Sequence, residues 1–199
     1  MKGVIFDFDG VIHDTREDLF KLHNRFYPDE DYDTWVREAF NGNARKYLEL
    51  KYSDGQKKEF ERLWTEVHKE LRIHDEMRSF LVNLKEKHPL FIISSNTEKN
   101  LDIYFESNDL KNLFEGVLGS ETHYSKVEKF RLLLDKYGFS VDDVVFVTDT
   151  LGDILEANKV GIKTIAVDFG YHDRDNLEKG NPFKIVSSLS EIDEEIRKL

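Results

Sequence analysis

Lys2-Gly3-Val4-Ile5-Phe6-Asp7-Phe8-Asp9-Gly10 reads as a buried strand that runs out into two aspartates and a glycine. An unbroken apolar run of this length suits a strand covered on both faces, the situation of a parallel sheet between helix layers. Comparable runs recur at 90–94 (Leu-Phe-Ile-Ile-Ser), 144–148 (Val-Val-Phe-Val-Thr) and 163–167 (Lys-Thr-Ile-Ala-Val), with shorter ones at 116–118 and 183–186. Helical patterns separate them. Ser125-Lys126-Val127-Glu128 has the spacing of a capping box, and Val127, Phe130, Leu134 and Tyr137 form one stripe that Gly138 stops. Asp153–Asn158 forms a second helix that Gly161 closes before the next strand. Strand–helix alternation with short links predicts right-handed βαβ units, hence a three-layer α/β/α, Rossmann-like parallel sheet.

One segment breaks the alternation. About seventy residues between the first two strands contain no convincing strand, and a structureless loop of that size is improbable. Thr15 reads as the N-cap of a helix carrying Leu19, Leu22, His23 and Phe26 and ending at Pro28. Ser53-Asp54-Gly55-Gln56 is a second capping box, ahead of Phe60, Leu63, Trp64, Val67 and Leu71 at helical spacing. The expectation is a small α-helical cap domain at 15–80, inserted into a catalytic core formed by 1–14 and 81–199.

Composition narrows the function. The chain has 199 residues, a formal net charge of -11 and no cysteine. Thiol catalysis, Cys-based zinc sites and disulfide scaffolds are excluded, and general binding of nucleic acid through phosphate neutralisation is not expected. Nine of the eleven excess negative charges lie outside residues 14–85. No signal peptide is visible and no apolar run approaches the ~18 residues of a membrane span, so a cytoplasmic protein without a membrane partner is expected. Oligomeric state is not legible.

In open parallel sheets ligands bind beyond the carboxyl ends of the strands. Those ends carry Asp7 and Asp9; Ser94, Ser95 and Asn96; and Thr148-Asp149-Thr150-Leu151-Gly152-Asp153. Four carboxylates at one sheet end repel each other, and an oxygen-only donor set without His or Cys fits a hard cation such as Mg²⁺. Taken singly, each aspartate reads as a strand end or helix cap. Lys126 falls in the first turn of a helix, where the dipole disfavours a cation; an anionic neighbour would justify it, and a solvated surface lysine is the alternative. Ser95 and Asn96 can hold phosphate oxygens by hydroxyl and backbone N–H at a helix start, or can simply cap that helix.

Together these residues resemble the haloacid dehalogenase-like hydrolases. Asp7-Phe8-Asp9-Gly10-Val11 is similar to the first motif of that family, Ser95 to the Ser/Thr of the second, Lys126 to the third, and Asp149–Asp153 to the acidic fourth, with Thr148 where glycine usually stands. The insertion lies where the family places its helical cap. Phe169-Gly170-Tyr171-His172 and Ser188–Ile192 resemble the tail of phosphoglycolate phosphatase-like members.

The resemblance implies a Mg²⁺-dependent phosphatase acting on a small-molecule phosphate monoester. Asp7 would be the nucleophile that forms an aspartyl-phosphate and Asp9 the general acid and base. Asp7, the Asp9 carbonyl and Asp149 would bind the metal with support from Asp153, while Ser95 and Lys126 hold the phosphoryl oxygens. Gly42-Asn43-Ala44-Arg45 resembles the segment with which sugar-phosphate mutases grip a distal phosphate, so a mutase is the nearest rival, although Leu19 replaces the mutase histidine. Arg45 would bind an anionic substrate group or pair with Glu49 on the surface. A phospho-receiver or silent binding protein is the rival from another class; the inserted segment and the complete set of polar residues argue against both.

Overall fold

Alternate residues of the first strand point into two different cores, and that alternation organises the molecule. The computed structural model describes residues 3–40 and 44–199. Val4 and Phe6 of β1 (Gly3–Phe6) join one apolar cluster and Ile5 the other. The strands β2 (Leu90–Ile93), β3 (Phe114–Leu118), β4 (Val144–Thr148), β5 (Lys163–Val167) and β6 (Lys184–Val186) complete a parallel sheet of order β3-β2-β1-β4-β5-β6. The chain runs outward from β1 through β2 to β3, then returns to place β4 on the other side of β1. The crevice at the ends of β1 and β4 is therefore the topological switch point, where such sheets hold ligands.

On one face pack α5 (Asp75–Lys85), α6 (Glu98–Ser107) and α10 (Leu189–Arg197), through residues such as Leu81, Tyr104 and Ile192. On the other lie α7 (Lys126–Tyr137) and α8 (Leu151–Val160), through Phe130, Leu133 and Ala157. The predicted three-layer α/β/α architecture is present. Gly138 ends α7 in the left-handed conformation at φ 65°, as its position in the sequence implies. The short α9 (Arg174–Glu178) precedes β6. No helix among the described residues is long and apolar enough to cross a membrane.

Between β1 and α5 the chain forms α1 (Arg16–His23), α2 (Tyr32–Phe40), α3 (Ala44–Lys51) and α4 (Asp54–Glu70). The Ser53 capping box is present, its hydroxyl accepting from Gln56 N while the Gln56 side chain accepts from Ser53 N. Helices α1, α3 and α4 meet around a cluster of Leu22, Tyr52, Phe60 and Trp64, in which Tyr52 and Phe60 meet edge to face, while Trp35 and Ala39 of α2 pack with Tyr171. Lys51 Nζ lies 2.6 Å from Glu30 and 3.0 Å from Glu38, an ion pair network at the base of α3. The position between residues 80 and 81 falls inside α5, whose buried Met77 and Leu81 both belong to the sheet-facing cluster.

Three local expectations are corrected. Thr15 makes no side-chain cap to α1, because its hydroxyl is directed to Asp9 instead. The helix after Thr15 ends at His23, five residues before Pro28. At α7 the Ser125 hydroxyl accepts from Val127 N and donates to Glu156, while Glu128 pairs with Arg131, so no reciprocal capping box closes.

Candidate active site

Register places the acidic residues. β1 pairs with β4 so that Phe6 faces Val147, and the next amide, Asp7 N, donates to Val147 O at 2.9 Å. Asp7 consequently emerges beside Thr148 and Asp149. Carboxylate oxygens of Asp7, Asp149 and Asp153 lie within 4.8 Å of one another, all buried. Lys126 reaches in from the first turn of α7, its Nζ 2.8 Å from Asp7 Oδ2 and 2.7 Å from Asp153 Oδ2. The anionic neighbours sought for that lysine are present, and with an exposure of 1% it is no surface residue.

Thr148 occupies the position where glycine is usual, and its hydroxyl donates to Asp153 Oδ2 at 2.8 Å. Asp149 accepts from Tyr171 N at 2.7 Å through Oδ2, whereas its Oδ1 is buried without a partner. Two glycines make room for this carboxylate. A Cβ on Gly10, at φ 78°, would stand 1.9 Å from Asp149 Oδ2, and one on Gly170 would stand 2.3 Å from Asp149 Cβ. Burial pushes the Asp7 carboxyl well above its usual range against the pull of Lys126. Burial likewise raises Asp149 to about 7, opposed by the Tyr171 amide. Asp153 is buried too, but Lys126 and its hydrogen bonds outweigh burial and hold it below the ordinary value. The cluster therefore has more negative charge than one lysine neutralises, and one buried Asp149 oxygen has no partner. A small hard cation fits this donor set.

Asp9 sits apart from the trio. Its Oδ1 accepts from Thr15 at 2.9 Å and its Oδ2 from Asn96 Nδ2 at 3.3 Å. Because Thr15 uses its proton on Asp9, the Tyr171 hydroxyl donates to Thr15 at 3.0 Å. Burial raises the Asp9 pKa, partly offset by the Thr15 hydroxyl. The Asn96 backbone N–H donates to Ser94 Oγ at 3.0 Å, and Thr97 caps α6. Ser95 is half-buried on the cavity wall.

Asp7, Asp9, Ser95, Asn96, Lys126 and Asp153 all line one cavity of about 130 Å³, whose opposite wall comes from α2, α3 and α4. At roughly 10–15 Å³ per water, that is space for a small molecule. Gly42 and Asn43 lie outside the described residues, as does the side chain of Arg45, although its backbone opens α3.

Sequence reasoning gave no role in the site to Thr15, His68 or Lys129. Lys129 is fully buried beneath the site, its Nζ donating to Ser94 O, and burial followed by the nearby Lys126 charge lowers it to about 8. Its spacing of three from Lys126 on one helix face was the available signal. His68 lies four residues after Trp64 on the apolar stripe of α4, where a polar residue asks for a partner.

Residues 4–167 match the model of the haloacid dehalogenase-like hydrolase family. The chain is 25% identical over 203 residues to phosphoglycolate phosphatase of Synechococcus elongatus, covering 96% of this chain and 95% of that one. It is 23% identical to phosphoglycolate phosphatase of Aliivibrio fischeri, covering 92% and 90%. A crystal structure described as a predicted phosphatase from Clostridium acetobutylicum superposes with a TM-score of 0.84 at 20% identity, covering 100% of this chain and 99% of that one. With the family model spanning most of its length, the chain belongs to the haloacid dehalogenase-like hydrolases.

Proposed function

We propose that this phosphatase hydrolyses a small-molecule phosphate monoester, with Mg²⁺, through an aspartyl-phosphate on Asp7. The observation that carries the reading is Lys126 Nζ bridging Asp7 and Asp153 at the cavity floor, beside an Asp149 oxygen that has no protein partner. Asp7, Asp149 and the Asp9 backbone carbonyl would hold the metal, with Asp153 supporting. Bound there, Mg²⁺ supplies positive charge that lets an anionic nucleophile approach an anionic ester.

An Asp7 carboxylate oxygen attacks phosphorus while the bond from phosphorus to the ester oxygen breaks, and Asp9 delivers a proton to the leaving alcohol. Asp9 then takes a proton from water as that water attacks the phosphoaspartate, which releases phosphate and regenerates Asp7. Lys126 and the Ser95 hydroxyl hold phosphoryl oxygens during both displacements. Helices α1 to α4, within residues 15–80, act as the cap over a core of 1–14 and 81–199, with α5 crossing that boundary while packed on the sheet. The relatives named as phosphoglycolate phosphatases support phosphate-ester hydrolysis. Phosphate release from p-nitrophenyl phosphate tests the reading. Mg²⁺-dependent turnover with formation of an acid-stable, hydroxylamine-sensitive phosphoprotein is expected; turnover that survives exhaustive chelation would sink it.

A further inference from the structure

Both carboxyl oxygens of Asp9 are occupied, and each partner is held in turn by a second residue. Thr15 donates to Oδ1 at 2.9 Å and is itself held by the Tyr171 hydroxyl at 3.0 Å. Asn96 Nδ2 lies 3.3 Å from Asp9 Oδ2 and 2.9 Å from His68 Nε2. The first branch runs to the loop after β5. The second runs to α4, where His68 follows Trp64 by one turn. Trp64 belongs to the ring-lined wall of the cavity, with Trp35 and Phe40 of α2, Tyr47 of α3 and Tyr171.

His68 is fully buried, stacked on Phe8 at 5.9 Å and edge-on to Trp64 at 4.6 Å. Its Nδ1 lies 2.9 Å from Trp64 O, which can only accept, so Nδ1 has the proton and Nε2 accepts from Asn96. The other Asn96 amide hydrogen goes to Asp9 Oδ2. Asn96 Oδ1 accepts from Thr97 N and Asn100 Nδ2. Turning the amide over would set its hydrogens against the Thr97 N–H and its oxygen against the Asp9 carboxyl. Four partners therefore use the whole bonding capacity of Asn96 and fix its plane.

Packing alone would be met by any ring of this size at position 68. The nitrogen matters because it takes the Asn96 hydrogen that Asp9 does not use. Without that acceptor a buried donor is left unsatisfied, and the amide can relieve it only by rotating, which draws the other hydrogen away from Asp9. A carboxyl that hands a proton to a leaving oxygen must lie in one plane, and donors on both of its oxygens set that plane.

We propose that His68 is a positioning residue that orients the Asp9 carboxyl through Asn96, so that a helix of the inserted segment governs proton delivery to the leaving group. The proposal rests on the phosphatase reading above. His68→Phe removes the acceptor and nearly keeps the shape. The measured quantity is kcat/KM with Mg²⁺, which covers the first displacement and excludes hydrolysis of the phosphoprotein. It should fall by about tenfold or more for ethyl phosphate, and much less for p-nitrophenyl phosphate, whose leaving group needs little proton assistance. His68→Gln, which can accept through its side-chain carbonyl, should restore most of the loss. In an Asn96→Ser background, His68→Phe should change the ratio between the two esters no further.

Equal losses on both esters, no loss, no rescue by glutamine, or additive losses in the double variant would each overturn the proposal and leave the phosphatase reading intact. If the parent turns over neither ester, the phosphatase reading fails and the proposal falls with it. Should His68→Phe fail to fold, Asn96→Ser cuts the same link and is read by the same ratio. The imidazole ¹⁵N spectrum of the unaltered protein at neutral pH is then the second measurement. A neutral ring with its proton on Nδ1 is expected; a proton on Nε2 would remove the acceptor from Asn96 and overturn the proposal.

Discussion

The floor of the cavity is charged and held in place by strand register; its roof is apolar and held by rings packed across α2, α3 and α4. On the floor each atom has one tolerable position. Lys126 must reach two carboxylates at once, and Gly10 and Gly170 must be free of a Cβ for Asp149 to fit. On the roof, packing sums many contacts of similar worth, and one ring can replace another at modest cost. The two walls therefore differ in what a substitution does: the floor loses chemistry while keeping its fold, and the roof shifts selectivity or stability while keeping chemistry.

Asp7→Asn should show the first half of that contrast most strongly. Turnover should fall to background, because an amide of nearly equal volume is a poor nucleophile. The melting temperature should hold or rise, since one member of a repelling buried cluster is neutralised. Detectable steady-state turnover would break the assignment of the floor. Chelation should be nearly as severe, with recovery on adding Mg²⁺, poor recovery with Ca²⁺ because its looser shell misplaces the attack, and an upward thermal shift when Mg²⁺ binds.

Asp9→Asn comes next. A loss on the order of 10²–10⁴ is expected from lost acid–base help, larger for alkyl than for aryl phosphates. An equal loss on both would argue against Asp9 as the proton donor to the leaving group. Gly10→Ala is a test of geometry rather than charge. The left-handed backbone and the 1.9 Å approach to Asp149 should together cost on the order of 2 kcal/mol of stability and weaken Mg²⁺ binding. Calorimetric unfolding with and without Mg²⁺ measures both.

The smallest effect sharpens the comparison from the roof side. Burial lowers His68 to about 4, so the folded protein keeps it neutral where the unfolded chain protonates it. Below the ordinary histidine value near 6.5 the unfolded state binds the extra proton, and stability should fall as pH drops toward about 4. The contribution is at most about 1.4 kcal/mol per pH unit in that window. Denaturant unfolding of His68→Gln should show a shallower acid slope than the parent between those values; an identical slope would place His68 in a wetter environment.

Much of the architecture was legible because it rests on local, repeated signals. The apolar runs at 90–94, 144–148 and 163–167 could only be doubly covered strands, and Ser53 with Gln56 marked the start of α4 to the residue. Thr15 misled for a physical reason. A hydroxyl one residue before a helix satisfies the local rule for a cap, yet Asp9 is a stronger acceptor than a backbone amide is a donor, and the two meet only in the folded chain. Ser125 also donates to a distant carboxylate, Glu156, thirty-one residues along the chain, but keeps its cap on Val127 N.

The sequence by itself determined the sheet and the chemical inventory of the floor, because parallel strands need continuous apolar runs and because carboxylates at strand ends are visible one residue at a time. Tertiary structure decided what those groups do to one another. Only the β1–β4 register sets Asp7 beside Asp149, only the entry of α7 brings Lys126 between Asp7 and Asp153, and only the packing of α4 against α6 joins His68 to Asn96 and Asp9. The ring-lined roof belongs to the same category. Its aromatics are scattered over α2, α3, α4 and a distant loop, and nothing in their spacing announces that they share one wall. Burial energy depends on total apolar area rather than on particular partners, so a sequence can specify that rings are buried without specifying which of them meet.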